Sequence, residues 1–478
     1  MHQKNILQVT QEVGYIQNIA ENEEQKTTFV LQYLKPLLHS GLGKILKGVK
    51  SKGFSPIAII QFLALLPFLG ILTIGSIWSS PYASMMRAKK DVLYRLKNNS
   101  YIPWRKLLYS IVRRFLKLSV KNDTATNTSC QKPRCLIFDD SDLKKTGTSI
   151  EGVSKIWSHV RHGHVLGFKL LTLGFFDGVS FVSIDFSLHR EQGQRLLNKF
   201  GLKLKELKKQ FVKKRSKDQA GHERHSELDE QKTRTVERMI IRAIKELPFK
   251  VDFVLCDSWF FNESLLKLVV KKGLDLVCGA KMGKLTFIYQ GKSYSPKALV
   301  KVAIRKAKYS KKLKAYYIPL IVSYKGITIR LFFVKYGRQK KWRIIINTNT
   351  KMSFIQTMEV YQIRWSIEVF FKEMKQYLGL EKCQSRDFDA HIAHITLAMI
   401  LHTALTLKKR VDNHQTMGEI FREIKLDMLE MTIAQRLWKL FVNIIRKLTD
   451  LFDCEPKIIF QKLNSSEFKG IRTMIVEI

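Results

Sequence analysis

The stretch RCLIFDD at residues 134–140 indicates the fold class of this chain, because it is a short apolar run that ends in carboxylates. β-Branched and aromatic residues in such a run are typical of a strand. Two longer apolar runs follow, VLGFKLLTLGFF at 165–176 and VSFVSIDFSL at 179–188. They are joined by Asp177-Gly178, and an Asp-Gly pair between apolar runs indicates a β-hairpin. The region therefore begins with three predicted strands, at least two of them antiparallel neighbours.

Strands and helices alternate after this hairpin. Residues 203–232 are rich in charge and predict part helix and part loop, whereas RTVERMIIRAIKEL at 234–247 predicts an amphipathic helix. The apolar runs VDFVLCD at 251–257 and LDLVCGA at 274–280 predict buried strands, and the helix between them is expected to end at Gly273. The predicted order is β-β-β-α-β-α-β, so we expect an α/β domain.

Regions of different character lie before, within and after this pattern. Residues 1–125 carry helical spacing without alternating strands, and the polar segment 122–133 ends in a helix-breaking proline. Residues 281–350 are rich in strand-like runs and predict a β-rich insertion. Helices are expected again beyond it. We therefore predict a helical N-terminal region at 1–125, an α/β domain at 134–400 and a helical C-terminal region at 401–478.

The charge balance identifies the class of partner. The chain has 83 Lys and Arg residues against 41 Asp and Glu residues, a formal net charge of +42. Such an excess is normally balanced by a polyanion, either nucleic acid or an anionic membrane surface. The basic residues are spread along the chain, which favours a long binding track on DNA phosphates. Within residues 104–121 they alternate with apolar positions, so this helix either lies on DNA or has a solvated basic face.

Residues 54–78 are apolar and about long enough to span a bilayer. They contain Gln61, Pro67, Gly70 and Gly75, and a proline breaks or kinks a helix. We therefore predict two short buried helices that meet near Pro67 rather than a membrane span. The six cysteines form no C-x-x-C pair and the N-terminus lacks the layout of a secretory signal, so we expect a cytoplasmic protein with no membrane partner.

Two carboxylates end predicted strands. Asp140 ends the first strand and Asp257 ends the strand at 251–257, so both would emerge where open α/β sheets bind their ligands. A helix cap or a loop charge is the alternative for each. The sequence FDDSD also offers Asp139 and Asp142. Since neighbours in a strand point to opposite faces, only one of Asp139 and Asp140 can join a given site easily.

A third carboxylate lies in YQIRWSIEVFFKEMKQYLGL at 361–380. If this segment is one helix at 100° per residue, Tyr361, Arg364, Glu368 and Lys375 fall within an arc of roughly 60°. The apolar residues of the segment occupy the other side and face a core. A salt-bridged, solvated stripe is the alternative to a functional face.

The spacing Tyr361-x-x-Arg364-x-x-x-Glu368-x-x-x-x-x-x-Lys375 resembles the Y-R-E-K signature of bacterial insertion-sequence transposases of the "insertion-sequence four" family. FDDSDLKKTG, VLCDSWF, the strand order and the β-rich insertion before Glu368 strengthen the resemblance, which covers residues 134–400. It implies an RNase H-like α/β catalytic core with a mixed sheet and a β-rich insertion, flanked by N- and C-terminal helical regions. The 1–125 region would then bind DNA ends, and the 401–478 region would support dimerisation or DNA binding.

The resemblance also implies a site. It assigns as metal ligands Asp140, Asp257 and Glu368, with Asp140 the preferred choice within FDDSD. Carboxylates suit Mg²⁺ or Mn²⁺, and two such ions would serve phosphodiester chemistry. DNA contacts are implied for Tyr361, Arg364, Lys375 and Trp365. Trp342, in the insertion, is either a platform for an unpaired base or part of a core.

The implied reaction is cut-and-paste DNA transposition. The partner would be double-stranded DNA, cut at terminal inverted repeats and joined through its 3′-OH to target DNA, with the protein acting as a homodimer on the DNA. The alternatives are a catalytically inactive DNA-binding relic and a basic membrane-associated protein built around residues 54–78. The histidines at 159, 162 and 164 have no Cys or carboxylate at ligand spacing, so they do not predict a zinc site.

Overall fold

The computed structural model describes residues 29–38, 42–49, 53–80, 89–123, 132–193, 196–337, 341–412 and 416–428. Three expectations therefore lie partly outside the described residues. These are the helical N-terminal region before residue 29, the polar segment around residues 124–131, and the C-terminal region beyond residue 428. Cys130 and Cys454 also lie outside them.

The described N-terminal region is helical. Its α-helices are α1 Lys35–Leu38, α2 Leu42–Ile45, α3 Pro56–Leu65, α4 Ile74–Trp78, α5 Lys90–Lys97 and α6 Trp104–Asp123. Helix α3 begins with Pro56 after the capping hydroxyl of Ser55, and it ends before Pro67. Gly70 has a φ of +70°, which the turn before α4 requires. The predicted pair of short helices is thus confirmed.

Four strands open the α/β region. They are β1 Cys135–Lys144, β2 Ser154–Ser158, β3 Gly163–Phe176 and β4 Phe181–His189. The hairpin predicted at Asp177-Gly178 joins β3 to β4, and Gly178 takes a φ of +106° in its turn. Strand β2 was not predicted, because its five residues alternate buried and exposed positions within a mixed polar segment.

Helices and two buried strands follow. The elements are α7 Leu204–Lys208, α8 Ala220–Ser226, α9 Lys232–Glu246, β5 Phe253–Cys256, α10 Glu263–Lys271 and β6 Asp275–Ala280. The side chain of Asn262 caps α10 by accepting a hydrogen bond from the Leu265 amide, and Gly273 with a φ of +68° ends that helical segment as predicted.

The β-rich insertion contains six strands and a helix. They are β7 Phe287–Tyr289, β8 Lys292–Tyr294, α11 Pro296–Ala303, β9 Lys308–Ser310, β10 Ala315–Tyr324, β11 Ile327–Tyr336 and β12 Arg343–Asn347. Three helices follow, α12 Phe354–Gln362, α13 Trp365–Gln376 and α14 Phe388–Val411, and residues 417–428 are also helical.

All these strands belong to one mixed sheet. Its order is β2-β3-β1-β5-β6-β12-β11-β10-β7-β8, with β4 beside β3 and β9 beside β10. Within it β4-β3-β1-β5-β6 is the RNase H-like core, in which β1 is antiparallel to β3 and parallel to β5. The insertion continues the same sheet, because β12 pairs with β6 from Ile344 opposite Ala280 onwards. The predicted α/β fold class is confirmed.

One apolar core extends through the described residues, from Phe29 in the N-terminal helices to Ile424. Helix α14 is its main helical component and packs against α6 and β4. It is long and apolar enough to cross a membrane, but 94% of its apolar window is buried inside the protein. Helix α14 is therefore placed as a core helix, and the N-terminal helices belong to the same core as the mixed sheet.

Buried ion pairs also join α6 to this sheet. The Arg105 Nε lies 2.8 Å from Asp185 Oδ1 on β4, and Arg105 Nη2 lies 2.7 Å from Glu227 Oε1. Both carboxylates are almost fully buried. Arg242 of α9 pairs with the second oxygen of Asp185, and Arg224 of α8 lies 3.4 Å from Glu227. Charges from four elements thus neutralise one another beneath α6.

Candidate active site

The two adjacent aspartates of β1 point to opposite faces of the sheet, as the pleat of a strand requires. Asp139 faces α13, where its Oδ2 lies 3.4 Å from Arg364 Nη1. Asp140 faces α9 and forms an ion pair with Lys232 at the start of that helix. The sequence interpretation favoured Asp140 as the first carboxylate of the site. The structure instead brings Asp139, not Asp140, towards the helix that carries Glu368.

Asp257 lies beside Asp139. Strand β5 runs parallel to β1 with Leu255 opposite Ile137, so Asp257 and Asp139 each stand two residues further along neighbouring strands. The chain turns immediately after Asp257, where the Phe260 amide donates to the Asp257 carbonyl at 3.2 Å. Asp257 therefore emerges at the end of β5, at the level of Asp139, as the sequence predicts.

Glu368 is joined to Asp139 through Arg364. Arg364 Nη2 lies 2.6 Å from Glu368 Oε1, one helical turn away, while its Nη1 faces Asp139. The segment is not one regular helix. Around Ile363 and Arg364 the amides bond to carbonyls three residues back, which tightens the backbone between α12 and α13. The Arg364 backbone stays right-handed, so Tyr361, Arg364 and Glu368 still share one side.

The electrostatics of this cluster disfavour a charged Asp139. Burial raises the pKa of its carboxyl to about 7, and the nearby Asp140 and Asp257 carboxylates act in the same direction. The Arg364 guanidinium and the hydrogen bond that the Asp140 amide donates to Asp139 Oδ1 oppose this shift. The site thus holds more negative charge than its neighbours neutralise.

The donor set fits a divalent cation in its chemistry. Asp139, Asp257 and Glu368 offer hard carboxylate oxygens of the kind that Mg²⁺ and Mn²⁺ bind, and burial together with the nearby carboxylates raises the pKa of Asp139. Within the described residues, no three His, Cys, Asp or Glu side chains stand close enough together to hold a metal ion. Arg364 is the cation that contacts both Asp139 and Glu368 in this arrangement.

Tyr361 packs beside the end of β5. A Cβ built on Gly279 would lie 3.2 Å from both the Tyr361 hydroxyl and Ser258, so the glycine leaves the space that the phenol fills. Burial raises the pKa of Tyr361 above its usual value, and its hydroxyl stays protonated. A neutral phenol at this position can donate a hydrogen bond towards the carboxylate cluster or a bound phosphate.

The other predicted contact residues lie further out. Lys375 Nζ donates to the Asp142 carbonyl at 2.9 Å and lies 3.1 Å from Glu381 Oε1, so it stands at the far end of β1. Trp365 is 61% exposed. Trp342 is half-buried against the core of the insertion, with Lys335 Nζ 5.4 Å from its ring centroid. The structure shows no contact between either tryptophan and the carboxylates.

Comparison with known families identifies the domain. Residues 227–404 match the family model described as a transposase DDE domain. This segment is therefore similar to a transposase DDE domain. Domains of this kind belong to enzymes that cut DNA with divalent metal ions, and the match points to an enzyme of that kind. The match includes Asp257 and Glu368 but begins after β1, so it does not select between Asp139 and Asp140.

Other comparisons add little. The structure is similar to piggyBac transposase in a synaptic complex with hairpin DNA, with a TM-score of 0.44 and 13% sequence identity over 86% of this chain and 80% of that one. This likeness is too weak to assign any property to the present chain. No curated protein matches the chain in sequence.

Sequence reasoning missed two residues beside the candidate carboxylates Asp140 and Asp257. Lys232 pairs with Asp140, and its Nζ lies 4.1 Å from the centroid of the Trp259 ring. Trp259 could have been found, since it follows Asp257 by two residues within VLCDSWF. Lys232 gave no signal, because it stands in a segment where most charges are solvated.

Proposed function

We propose that this protein is a transposase of the "insertion-sequence four" family. It would cut double-stranded DNA at terminal inverted repeats and join the freed 3′-OH to target DNA. The observation that supports this most is that Arg364 bridges Asp139 to Glu368 at one edge of an RNase H-like sheet, while Asp257 emerges from the strand beside Asp139. The net charge of +42 suits a DNA partner.

Asp139 is the first metal ligand in this proposal. It shares a face of the sheet with Arg364 and Glu368, whereas Asp140 is neutralised by Lys232 on the other face. Asp257 and Glu368 would complete the ligand set, as the sequence predicts. Two Mg²⁺ or Mn²⁺ ions bound there would stabilise the attacking and leaving oxygens of an in-line displacement at phosphorus.

Arg364 would exchange its two carboxylate partners, Asp139 and Glu368, for a DNA phosphate when metal ions bind. In the described arrangement its guanidinium neutralises Asp139 and Glu368. When cations neutralise these carboxylates, the guanidinium is released to bind a DNA phosphate, for which its planar fork is well suited. Tyr361 would donate its hydroxyl proton to the same phosphate region. Lys375, held near the end of β1, would contact phosphates further along the strand.

The oligomeric state and the cellular setting follow from the reaction. Cutting two ends of an element together requires two active sites, so the protein would act as a homodimer on DNA in the cytoplasm. The N-terminal helices, with their basic residues among apolar ones on α6, would help to hold the DNA ends.

The first test concerns the choice of ligand. Full-length protein is incubated with Mg²⁺ and a duplex that carries the DNA flanking the gene, and strand cleavage is measured. We expect Asp139→Asn to lower the cleavage rate by more than about 100-fold, because even outer-shell partners of metal sites are worth 10–100-fold. Asp140→Asn is the matched control and should retain most of the activity.

Each other outcome has a definite meaning. Cleavage that survives in Asp139→Asn but not in Asp140→Asn would move the first ligand by one residue. A fully active Glu368→Ala variant would refute the site as a whole. Wild-type protein that binds the duplex with Mg²⁺ or Mn²⁺ present, yet leaves it intact, would support an inactive DNA-binding relic.

A further inference from the structure

The β2–β3 hairpin projects beyond the central strand of the sheet. Strand β1 ends at Lys144, opposite Gly167 of β3. Strand β3 starts four residues earlier, at Gly163, and this first part pairs with β2 from Ser158 opposite Gly163. The hairpin is thus a two-stranded ribbon that continues the sheet past the end of β1.

This ribbon leaves the sheet at the same end as the candidate active site. Asp139 pairs with Thr172, and β1 runs from there towards Lys144 while β3 runs in the opposite direction. The nine residues from Thr172 back to Gly163 span roughly 30 Å at about 3.4 Å per residue. An extended strand of this length places Gly163, the last paired residue below the tip, roughly 30 Å from Asp139 in the direction in which β1 points.

The tip combines one apolar side chain with basic neighbours. Val160 is 88% exposed. Arg161 follows it, and His159, His162 and His164 are also exposed. The sequence has no Asp or Glu between Glu151 and Asp177, so no carboxylate of the ribbon itself opposes a polyanion. An apolar residue at the end of an acid-free basic ribbon suits contact with nucleic acid.

The ribbon is held firmly at its base. Lys169 Nζ lies 2.6 Å from Asp142 Oδ1 on β1 and donates to the Trp157 carbonyl on β2 at 2.6 Å. Above this point Trp157 stands opposite His164, with ring centroids 5.2 Å apart in an edge-to-face arrangement. These contacts fix the direction of the tip relative to the active site.

We propose that the β2–β3 hairpin inserts into a groove of duplex DNA about one helical turn from the cut. A two-stranded ribbon fits the major groove, and 30 Å is slightly less than one turn of about 34 Å. Val160 meets the base edges and Arg161 binds a backbone phosphate. This inference rests on the proposed function, because it takes the DNA that is cut as the hairpin's partner.

Binding and footprinting test the hairpin. The probes are a duplex of about 60 bp carrying the DNA that flanks the gene and a random-sequence duplex of equal length, which gives more than two turns on either side of a central site. We expect Val160→Asp to weaken binding of the flanking duplex about tenfold or more, in line with the cost of a lost base contact. Hydroxyl-radical protection one turn from the cut should disappear while protection at the cut remains.

Arg161→Ala should act differently. It removes a phosphate contact, so we expect weaker binding of both duplexes and a slope of log affinity against log salt that is smaller by about 0.9. Arg161→Lys should restore the slope. Both Val160 and Arg161 are exposed, so thermal unfolding of the variants should match that of the wild type.

The matched control is Val179→Asp. Val179 is 63% exposed in the turn between β3 and β4, at the opposite end of β3 from the tip. Equal losses in Val160→Asp and Val179→Asp would show a general charge effect and overturn the proposal. Unchanged DNA binding with weakened self-association would assign the tip to a second copy of the chain instead.

The two proposals fail in different ways. If Val160→Asp and Arg161→Ala bind and cut DNA like the wild type while Asp139→Asn is inactive, the hairpin proposal is wrong and the transposase proposal stands. If the wild type neither binds nor cuts the flanking duplex, the proposed function itself fails.

Discussion

The Asp139 carboxyl occupies a position where its neighbours disfavour its charge. Its pKa is raised to about 7, against about 3.9 for an unfolded aspartate. The folded protein therefore holds this proton between about pH 4 and pH 7, where the unfolded chain has lost it. As pH rises through 7 the charged form must be accommodated, and the stability that the protonated form contributed is lost.

This fall in stability with rising pH gives a prediction for the metal-free protein. Asparagine keeps the shape of aspartate without the charge, so Asp139→Asn should be more stable than the wild type at pH 8, by roughly 2–4 kcal/mol at most. The difference should shrink towards zero near pH 4. Urea unfolding in the presence of a chelator at both pH values measures it.

Metal addition provides the control for that measurement. At pH 8, Mg²⁺ or Mn²⁺ should raise the melting temperature of the wild type, because a ligand that binds only the folded state stabilises it. Asp139→Asn should respond much less. An equal rise in both proteins would mean that Asp139 does not hold the ion.

The sequence could predict that acidic residues of two strands and one helix face one another, but it could not predict that Asp139 rather than Asp140 faces Arg364. Because successive side chains of a strand point to opposite faces, the sequence predicts that Asp139 and Asp140 face opposite sides of the sheet. Which of them faces Glu368 depends on which helices cover each side of the sheet. That is decided by the packing of α13 and α9, and no local pattern records it.

At the scale of elements, turns and helix ends could be predicted from short stretches of sequence, but the pairing of distant strands could not. The Asp177-Gly178 hairpin and the helix end at Gly273 are confirmed, since both depend on short stretches of backbone. The strand content of residues 281–350 is confirmed as well. The pairing of β12 with β6, which makes the insertion part of the central sheet, could not be predicted because the two strands are far apart in the chain.

The close approach of β3 to the end of β1 at Gly167 gives a prediction at the scale of elements. A Cβ on Gly167 would lie 2.1 Å from the Leu143 carbonyl oxygen of β1. The backbone of β1 could move away only by breaking its hydrogen bonds with β3. We expect Gly167→Ala to lower the free energy of unfolding by about 3 kcal/mol or more, the upper range for overpacking. Chemical denaturation measures this loss.

Gly163→Ala is the control on the same strand. The nearest atom to its added Cβ would be the Arg161 carbonyl oxygen at 3.8 Å, an ordinary contact. Its stability should stay close to that of the wild type. A similar loss in both variants would mean that β3 is sensitive to side-chain volume in general, and not at the crossing.

For the whole molecule, the sequence suggested separate N-terminal and α/β regions, and the packing joins them. The polar segment 122–133 looks like a boundary, yet helices on both sides contribute to one core. Composition reveals the basic character of the chain, because the net charge is the sum of the charged residues and does not depend on the fold. It could not reveal that Arg105 reaches across to Asp185, which requires the fold.

The ion pairs beneath α6 lead to the last prediction. Arg105→Met leaves Asp185 and Glu227 buried with less compensation, and breaking a buried pair typically costs about 3–5 kcal/mol. The control is Arg95→Met, whose ion pair with Asp91 is exposed and worth less than about 1 kcal/mol. Thermal and urea unfolding of both variants compare them, and equal effects would contradict a structural role for the buried pairs.

The opposite orientation of Asp139 and Asp140 has a consequence for how such a protein changes over generations. Two adjacent codons specify the same amino acid, one for the residue that faces Arg364 and one for the partner of Lys232. Duplication of a single codon earlier in β1 would shift the strand by one residue, so that Phe138 takes the position of Asp139 while the Asp-Asp pair stays intact in the sequence. A copy changed in this way would keep its recognisable sequence motif and lose the carboxylate that faces Arg364.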